Sequence, residues 1–141
     1  MTLYLDTSSL VKLYVEEEGS AAVRACVRAA DVVATAVIAY PEARAAFARL
    51  RRERVLRPTA FRAVKQALDD DWPRYLTFDI TAGLARAAGD LAERFGLRGY
   101  DSVHLAAFTE IAHRAGATAS QFSSYDDRLN LAARVIRQEL R

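Results

Sequence analysis

Short apolar stretches alternate with longer segments of helical periodicity along this chain, and that alternation restricts the folds open to it. The pattern predicts strands at 3–5, 31–35, 75–79 and within 117–124, and it leaves open a fifth, small strand at 134–136. It predicts helices at 8–17, 21–30, up to about 54, 58–71, 81–95, 100–115 and 126–134. Strands that alternate with helices run parallel and are covered on both faces. We therefore expect a three-layer α/β/α fold with a central parallel sheet of four to five strands.

The size and composition of the chain are those of an ordinary globular protein. Its 141 residues predict a single domain spanning 1–141. We see no stretch of about 20 apolar residues and no signal peptide, so we expect no membrane association. Cys26 is the only cysteine, which excludes an intrachain disulfide and fits a reducing, cytoplasmic environment.

Four acidic residues, far apart in sequence, fall where a strand passes into a helix or just inside a helix. They are Asp6, Glu42, Asp101 and Asp126. Ligands of parallel sheets bind beyond the carboxyl ends of the strands, and carboxylates gathered there repel one another unless a cation holds them. The four positions therefore predict a site for divalent metal ions.

Each acid also has a structural interpretation, because aspartate is a good helix N-cap and acids suit the first turn of a helix. Near Asp6, three hydroxyl residues at 7–9 can serve as caps, so a cap does not require the acid. Asp127 competes with Asp126, which we prefer because it directly follows the strand. We expect Ser8 to orient Asp6 or a water molecule, and His104 to support the site from the face of Asp101.

Oxygen ligands favour Mg²⁺ or Mn²⁺, and the sequence offers no cysteine and histidine cluster for zinc. A divalent ion can activate water for attack on a phosphodiester and stabilise the leaving oxygen. No P-loop, glycine-rich dinucleotide turn or nucleophile elbow competes with this interpretation. The formal net charge of +2 is too small to establish a nucleic-acid partner by itself.

Four segments, in order, resemble the motifs of PIN domains, and especially the toxins of bacterial toxin–antitoxin pairs. They are Leu5–Tyr14, Tyr40–Glu42, Leu97–Ala106 and Ser124–Leu129. In the last segment Ser124 stands where threonine is usual and keeps the hydroxyl group, so we expect it to assist the site.

The resemblance implies a compact α/β/α fold and a metal-dependent endoribonuclease that cleaves single-stranded or structured RNA. It also implies a homodimer and a small antitoxin protein that covers the site. By the same resemblance, Mg²⁺ or Mn²⁺ lies between the four acids, with Asp6 and Asp101 the most common direct ligands.

Two other functions remain open from the sequence. A phosphatase or phosphotransfer domain with an aspartate nucleophile also places Asp at the end of its first strand, but such phosphatases need an acid two residues later, where Ser8 stands. A metal-dependent or partner-binding module without catalytic activity is the other alternative. The presence of all four acids argues against it.

Overall fold

The computed structural model describes residues 1–141 and contains four strands and seven α-helices. The strands are β1 (Thr2–Leu5), β2 (Val32–Ala36), β3 (Leu76–Phe78) and β4 (Ser120–Ser123). The helices are α1 (Thr7–Val11), α2 (Ser20–Ala29), α3 (Ala39–Arg52), α4 (Pro58–Asp71), α5 (Ala82–Phe95), α6 (Gly99–Ala115) and α7 (Asp127–Glu139), with a short 3₁₀ helix at Trp72–Arg74. No helix combines the length and apolar character needed to cross a bilayer.

All strand pairs are parallel, and the order across the sheet is β3-β2-β1-β4. The chain builds outward from β1 through β2 to β3, and then returns to the other side of β1 to add β4. The order of the strands thus reverses between β1 and β4. A crevice opens beyond the carboxyl ends of the strands at such a point.

The residues of β1 alternate between two hydrophobic cores, as a strand buried on both faces requires. Leu3 and Leu5 lie in a core formed with α1–α4. Tyr4 lies in the opposite core with α5, α6 and α7. The sheet therefore has helices on both faces, which confirms the predicted three-layer α/β/α fold.

The first helix is shorter than predicted, because α1 ends at Val11 rather than near residue 17. The backbone N–H groups of Lys12, Leu13 and Tyr14 each donate to the carbonyl three residues earlier. These tight turns retain a near-helical spacing of apolar side chains. The apolar pattern of the sequence therefore continues past Val11, although the α-helix ends there.

The fifth strand predicted at 134–136 is wrong, because these residues belong to the continuous helix α7. Ala132, Ala133 and Ile136 are buried on one face of that helix, at spacings of three and four residues. The β-branched pair Val135–Ile136 suggested a strand locally, but packing against the sheet determined the outcome. The sheet therefore has four strands.

We expect Phe108→Ala to lower the free energy of unfolding by about 3–5 kcal/mol, because it leaves a cavity in the core. Phe108 has 0% exposure, and its ring centroid lies 5.1 Å from that of Phe122. Urea denaturation measures the change. Leu131, which is 56% exposed, gives the matched control, and Leu131→Ala is expected to cost less than about 0.5 kcal/mol. Equal effects of the two substitutions would contradict the packing described here.

Candidate functional site

The crevice beyond β1 and β4 contains the first of the predicted acids. Leu5 pairs with Ser123 in the parallel register, so the chain leaves the two strands at the same level. The backbone N–H of Asp6 donates to the carbonyl of Ser123 at 3.1 Å. The residues that follow the two strands, Asp6 and Ser124, are therefore held side by side.

The Asp6 carboxylate is only 4% exposed and accepts three hydrogen bonds. Its Oδ1 accepts from the Ser8 hydroxyl at 2.6 Å and from the backbone N–H of Ser9 at 3.0 Å. Its Oδ2 accepts from the Ser124 hydroxyl at 2.5 Å. The bond from Ser9 makes Asp6 the N-cap of α1, although the hydroxyl residues at 7–9 could have served as caps.

Burial raises the pKa of the Asp6 carboxyl, and the hydrogen bonds from Ser124 and Ser8 offset part of that rise. A buried ionised carboxylate costs free energy unless donors or a cation compensate it. The hydroxyl groups of Ser8 and Ser124 supply part of that compensation. Each oxygen of a carboxylate keeps further lone pairs, so Asp6 can still bind a cation.

Glu42 lies in the first turn of α3 and is tied to α1 and α6. Its Oε1 accepts from the Thr7 hydroxyl at 2.7 Å and lies 3.0 Å from Nε2 of His104. Burial alone would raise the pKa of Glu42. The hydrogen bonds from His104 and Thr7 lower the pKa by more than burial raises it. Together with electrostatic attraction to His104 and Arg98, they hold the pKa of Glu42 below its usual value.

His104 is buried and bonded at both ring nitrogens. Its Nδ1 lies 2.8 Å from the Tyr4 hydroxyl, and its Nε2 faces Glu42 and the Thr7 hydroxyl. When Tyr4 donates to Nδ1, the proton of a neutral ring lies on Nε2 and points at Glu42. His104 thus fixes the orientation of Glu42 through its Nε2, and this nitrogen is engaged by Glu42 and Thr7.

Asp101 and Asp126 share one cationic neighbour, Arg98. The Nε of Arg98 donates to Oδ2 of Asp101 at 2.9 Å, and its Nη2 lies 3.9 Å from Oδ2 of Asp126. These carboxylates raise the pKa of the Arg98 guanidinium. Asp126 also caps α7 by accepting from the backbone N–H of Leu129 at 2.9 Å.

One cavity of about 260 Å³ brings these side chains together. Its lining includes all four predicted acids, with Ser8 and His104. Ser124 donates to Asp6 without lining the cavity, and Asp127 lines only an adjacent cleft, which shares Arg98, Asp101 and Asp126 with the cavity. The complete lining is Asp6, Thr7, Ser8, Glu42, Arg98, Tyr100, Asp101, His104, Tyr125 and Asp126.

The donor set of this cavity fits a hard divalent cation, since its charged ligands are carboxylate oxygens. No three acidic, histidine or cysteine side chains are grouped closely enough in this structure to hold a metal ion between them. Arg98 lies where a cation shared by Asp101 and Asp126 would bind. A metal ion at that place requires the exposed guanidinium to move away.

Sequence reasoning missed Arg98 and Thr7, which line the cavity, and Tyr4, which is buried outside it and contacts His104. The spacing of Arg98 and Asp101, three residues apart at a helix start, is a usable signal for their ion pair. Thr7 was considered only as a cap. The contact of Tyr4 with His104 joins residues a hundred positions apart, and no local pattern indicates it.

The fold and the cavity together define an open, parallel α/β protein with carboxylates gathered beyond the ends of its strands. Residues 3–135 match the family model described as PIN domain, and the chain belongs to that family. Ribonucleases of this family use a divalent metal ion.

The chain is also similar to two curated proteins from Mycobacterium tuberculosis. They are Ribonuclease VapC45 of strain CDC 1551 / Oshkosh and Ribonuclease VapC49 of strain ATCC 25618 / H37Rv. Each is 36% identical over 104 residues, which cover 74% of this chain and 72% of the relative.

We expect Asp6→Asn to raise the melting temperature by a few degrees at neutral pH in the presence of a chelator. Because burial raises the pKa of Asp6, the folded state binds its proton more tightly than the unfolded chain does. Ionised Asp6 therefore costs stability above that raised pKa. The cost fades as the pH falls toward the pKa of an unfolded aspartate, about 3.9.

Thermal unfolding followed by circular dichroism between neutral pH and about pH 4 tests this expectation. The difference between variant and wild type should shrink as the pH falls. The exposed Asp90 on α5 provides the control, and Asp90→Asn should leave the melting temperature unchanged. A variant less stable than wild type at neutral pH would mean that the cap and the serine bonds outweigh the cost of burial.

Proposed function

We propose that this chain is a divalent-metal-dependent endoribonuclease and the toxin of a toxin–antitoxin pair. The observation that carries the proposal is one cavity lined by Asp6, Glu42, Asp101 and Asp126 at the switch point of the sheet. Membership of the PIN domain family and the similarity to two proteins named as ribonucleases support it.

The four acids are the proposed metal ligands and catalytic residues, with Mg²⁺ or Mn²⁺ as the cofactor. Such an ion supplies an activated water and stabilises the leaving oxygen of a phosphodiester. Ser8 and Ser124 fix the two oxygens of Asp6, while His104 and Thr7 fix Glu42. These contacts orient the ligands before the substrate arrives, so little reorganisation is needed during the reaction.

The proposal extends to partners and location. RNA is the substrate, and an antitoxin protein covers the cavity in the resting complex. The protein acts as a homodimer in the cytoplasm, where its single cysteine, Cys26, stays reduced. The domain comprises residues 1–141.

The structure argues against an aspartate nucleophile at Asp6. Both oxygens of its carboxylate accept hydrogen bonds from serine hydroxyls, and the group is 4% exposed.

Two adjacent acids allow a sharp test of the metal ligands. We expect Asp126→Asn to reduce the rate of RNA cleavage at least about 100-fold, because it removes a carboxylate that neutralises the cation. Asp127→Asn should keep a rate near that of wild type, since Asp127 does not line the cavity that holds the four acids. The assay follows labelled RNAs of varied sequence with added Mg²⁺, Mn²⁺ or chelator.

Equal loss in both variants would mean that Asp126 has no special role at the cavity. Cleavage that persists undiminished in chelator would contradict the metal dependence. Failure of the wild-type protein to cut any RNA with either ion would favour the binding module without activity.

Expression in bacteria tests toxin identity. We expect wild-type protein, produced without a partner, to arrest growth, and Asp101→Asn at equal protein levels to permit it. Asp101 is 14% exposed at the cavity and is one of the proposed ligands. Colony counts after induction measure the effect. Unaffected growth with wild-type protein that is active on RNA in vitro would rule out the toxin role and leave the nuclease proposal intact.

A further inference from the structure

The exposed aromatic side chains of this protein are concentrated at one place. Of six tyrosines, six phenylalanines and one tryptophan, only Tyr100 and Tyr125 are exposed, by 40% and 48%. Both line the cavity that holds the four acids. Single exposed apolar residues are common on protein surfaces, but the confinement of all exposed rings to one charged cavity indicates a ligand with flat apolar faces.

The two rings come from different elements of the fold. Tyr100 directly precedes Asp101 at the start of α6. Tyr125 directly precedes Asp126 in the turn between β4 and α7. Each tyrosine is therefore the direct neighbour in sequence of a proposed metal ligand, and both line the cavity in which those ligands lie.

Tyr125 is held in place before any ligand binds. Its hydroxyl donates to the carbonyl of Gly19 at 3.1 Å, and its backbone N–H donates to the Ser8 hydroxyl at 2.9 Å. A Cβ at position 19 would lie 2.6 Å from the Tyr125 hydroxyl oxygen, and residue 19 has a positive φ of 90°, so only glycine suits this contact. A ring that is already fixed loses little entropy on binding.

A cation lies against each ring. The Nζ of Lys12 is 4.4 Å from the ring centroid of Tyr125, and the Arg98 guanidinium is 4.8 Å from that of Tyr100. The Lys12 side chain is only 13% exposed and pairs with Glu17, so it lies beneath the ring of Tyr125. The exposed part of Tyr125 is therefore available to a ligand on the side away from Lys12.

We infer that Tyr100 and Tyr125 are stacking platforms for the two bases that flank the phosphodiester bound at the acids. The inference rests on the proposed nuclease function and specifies how its substrate is held. Aromatic rings stack on any base and give little sequence preference. In a duplex the base faces are already covered by neighbouring pairs, so this site selects RNA that is unpaired on both sides of the cleaved bond.

Equilibrium binding to two probes tests the platforms directly. One probe is a labelled oligoadenylate of about ten nucleotides, and the other is a base-free ribose phosphate chain of the same length. Binding is measured by fluorescence anisotropy at fixed salt, with Ca²⁺ as the divalent ion. We expect Tyr100→Leu and Tyr125→Leu each to weaken oligoadenylate binding about 10- to 100-fold and to leave binding of the base-free chain unchanged.

Conservative variants separate stacking from structural support. Tyr125→Phe removes the hydroxyl bond to Gly19 but keeps the ring, and Tyr100→Phe likewise keeps its ring. Both variants should bind oligoadenylate with an affinity within about twofold of that of wild type, because the loss of one exposed contact changes the free energy only slightly. Leu131→Ala, which removes an exposed apolar side chain outside the cavity, should bind both probes as wild type does.

Three results would overturn the inference. They are equal binding of the two probes by wild-type protein, leucine variants that bind oligoadenylate normally, or equal weakening toward both probes. Cleavage of RNA by wild-type protein in any of these cases leaves the nuclease proposal standing. Absence of both cleavage and binding in the wild type would instead contradict the nuclease proposal itself.

Discussion

The hydrogen bonds around the buried Asp6 carboxylate are the constraint on which the rest of the site depends. Ser8 and Ser124 each donate to Asp6, and each also accepts a backbone N–H from the turn after β4, at Tyr125 and Asp126 respectively. The two serines therefore join the ends of two strands into one unit. Because a buried carboxylate without such donors is costly, the fold and the position of the first acid stabilise each other.

The four acids of the cavity differ in their exposure and in their partners. Asp6 is 4% exposed, and the side chains of Asp101, Glu42 and Asp126 are 14%, 23% and 36% exposed. Asp6 and Glu42 accept hydrogen bonds from hydroxyl groups, a backbone N–H and His104, whereas Asp101 and Asp126 pair with the exposed guanidinium of Arg98. A metal ion shared by Asp101 and Asp126 would replace that guanidinium, whereas Asp6 and Glu42 keep their partners within the fold.

The sequence was sufficient for the layers of the fold because most strands and helices have a clear apolar pattern. It failed where packing departs from that period: α1 ends early in tight turns, and Val135 and Ile136 are helical. The positions of the four acids were also visible, since each adjoins a helix start. Contacts such as Tyr4 with His104 depend on how two distant elements pack, so no local pattern predicted them.

The electrostatics of the cavity explain why aromatic rings belong beside the acids. Four carboxylates repel the phosphates of RNA, and the formal net charge of +2 gives little general attraction. Arg98 offsets this repulsion only in part, because its guanidinium already forms an ion pair with Asp101. A divalent cation held by the acids would attract a phosphate locally, and stacking on Tyr100 and Tyr125 adds a contribution to binding that does not depend on charge. A basic surface would attract any polyanion, whereas this arrangement favours those with accessible bases.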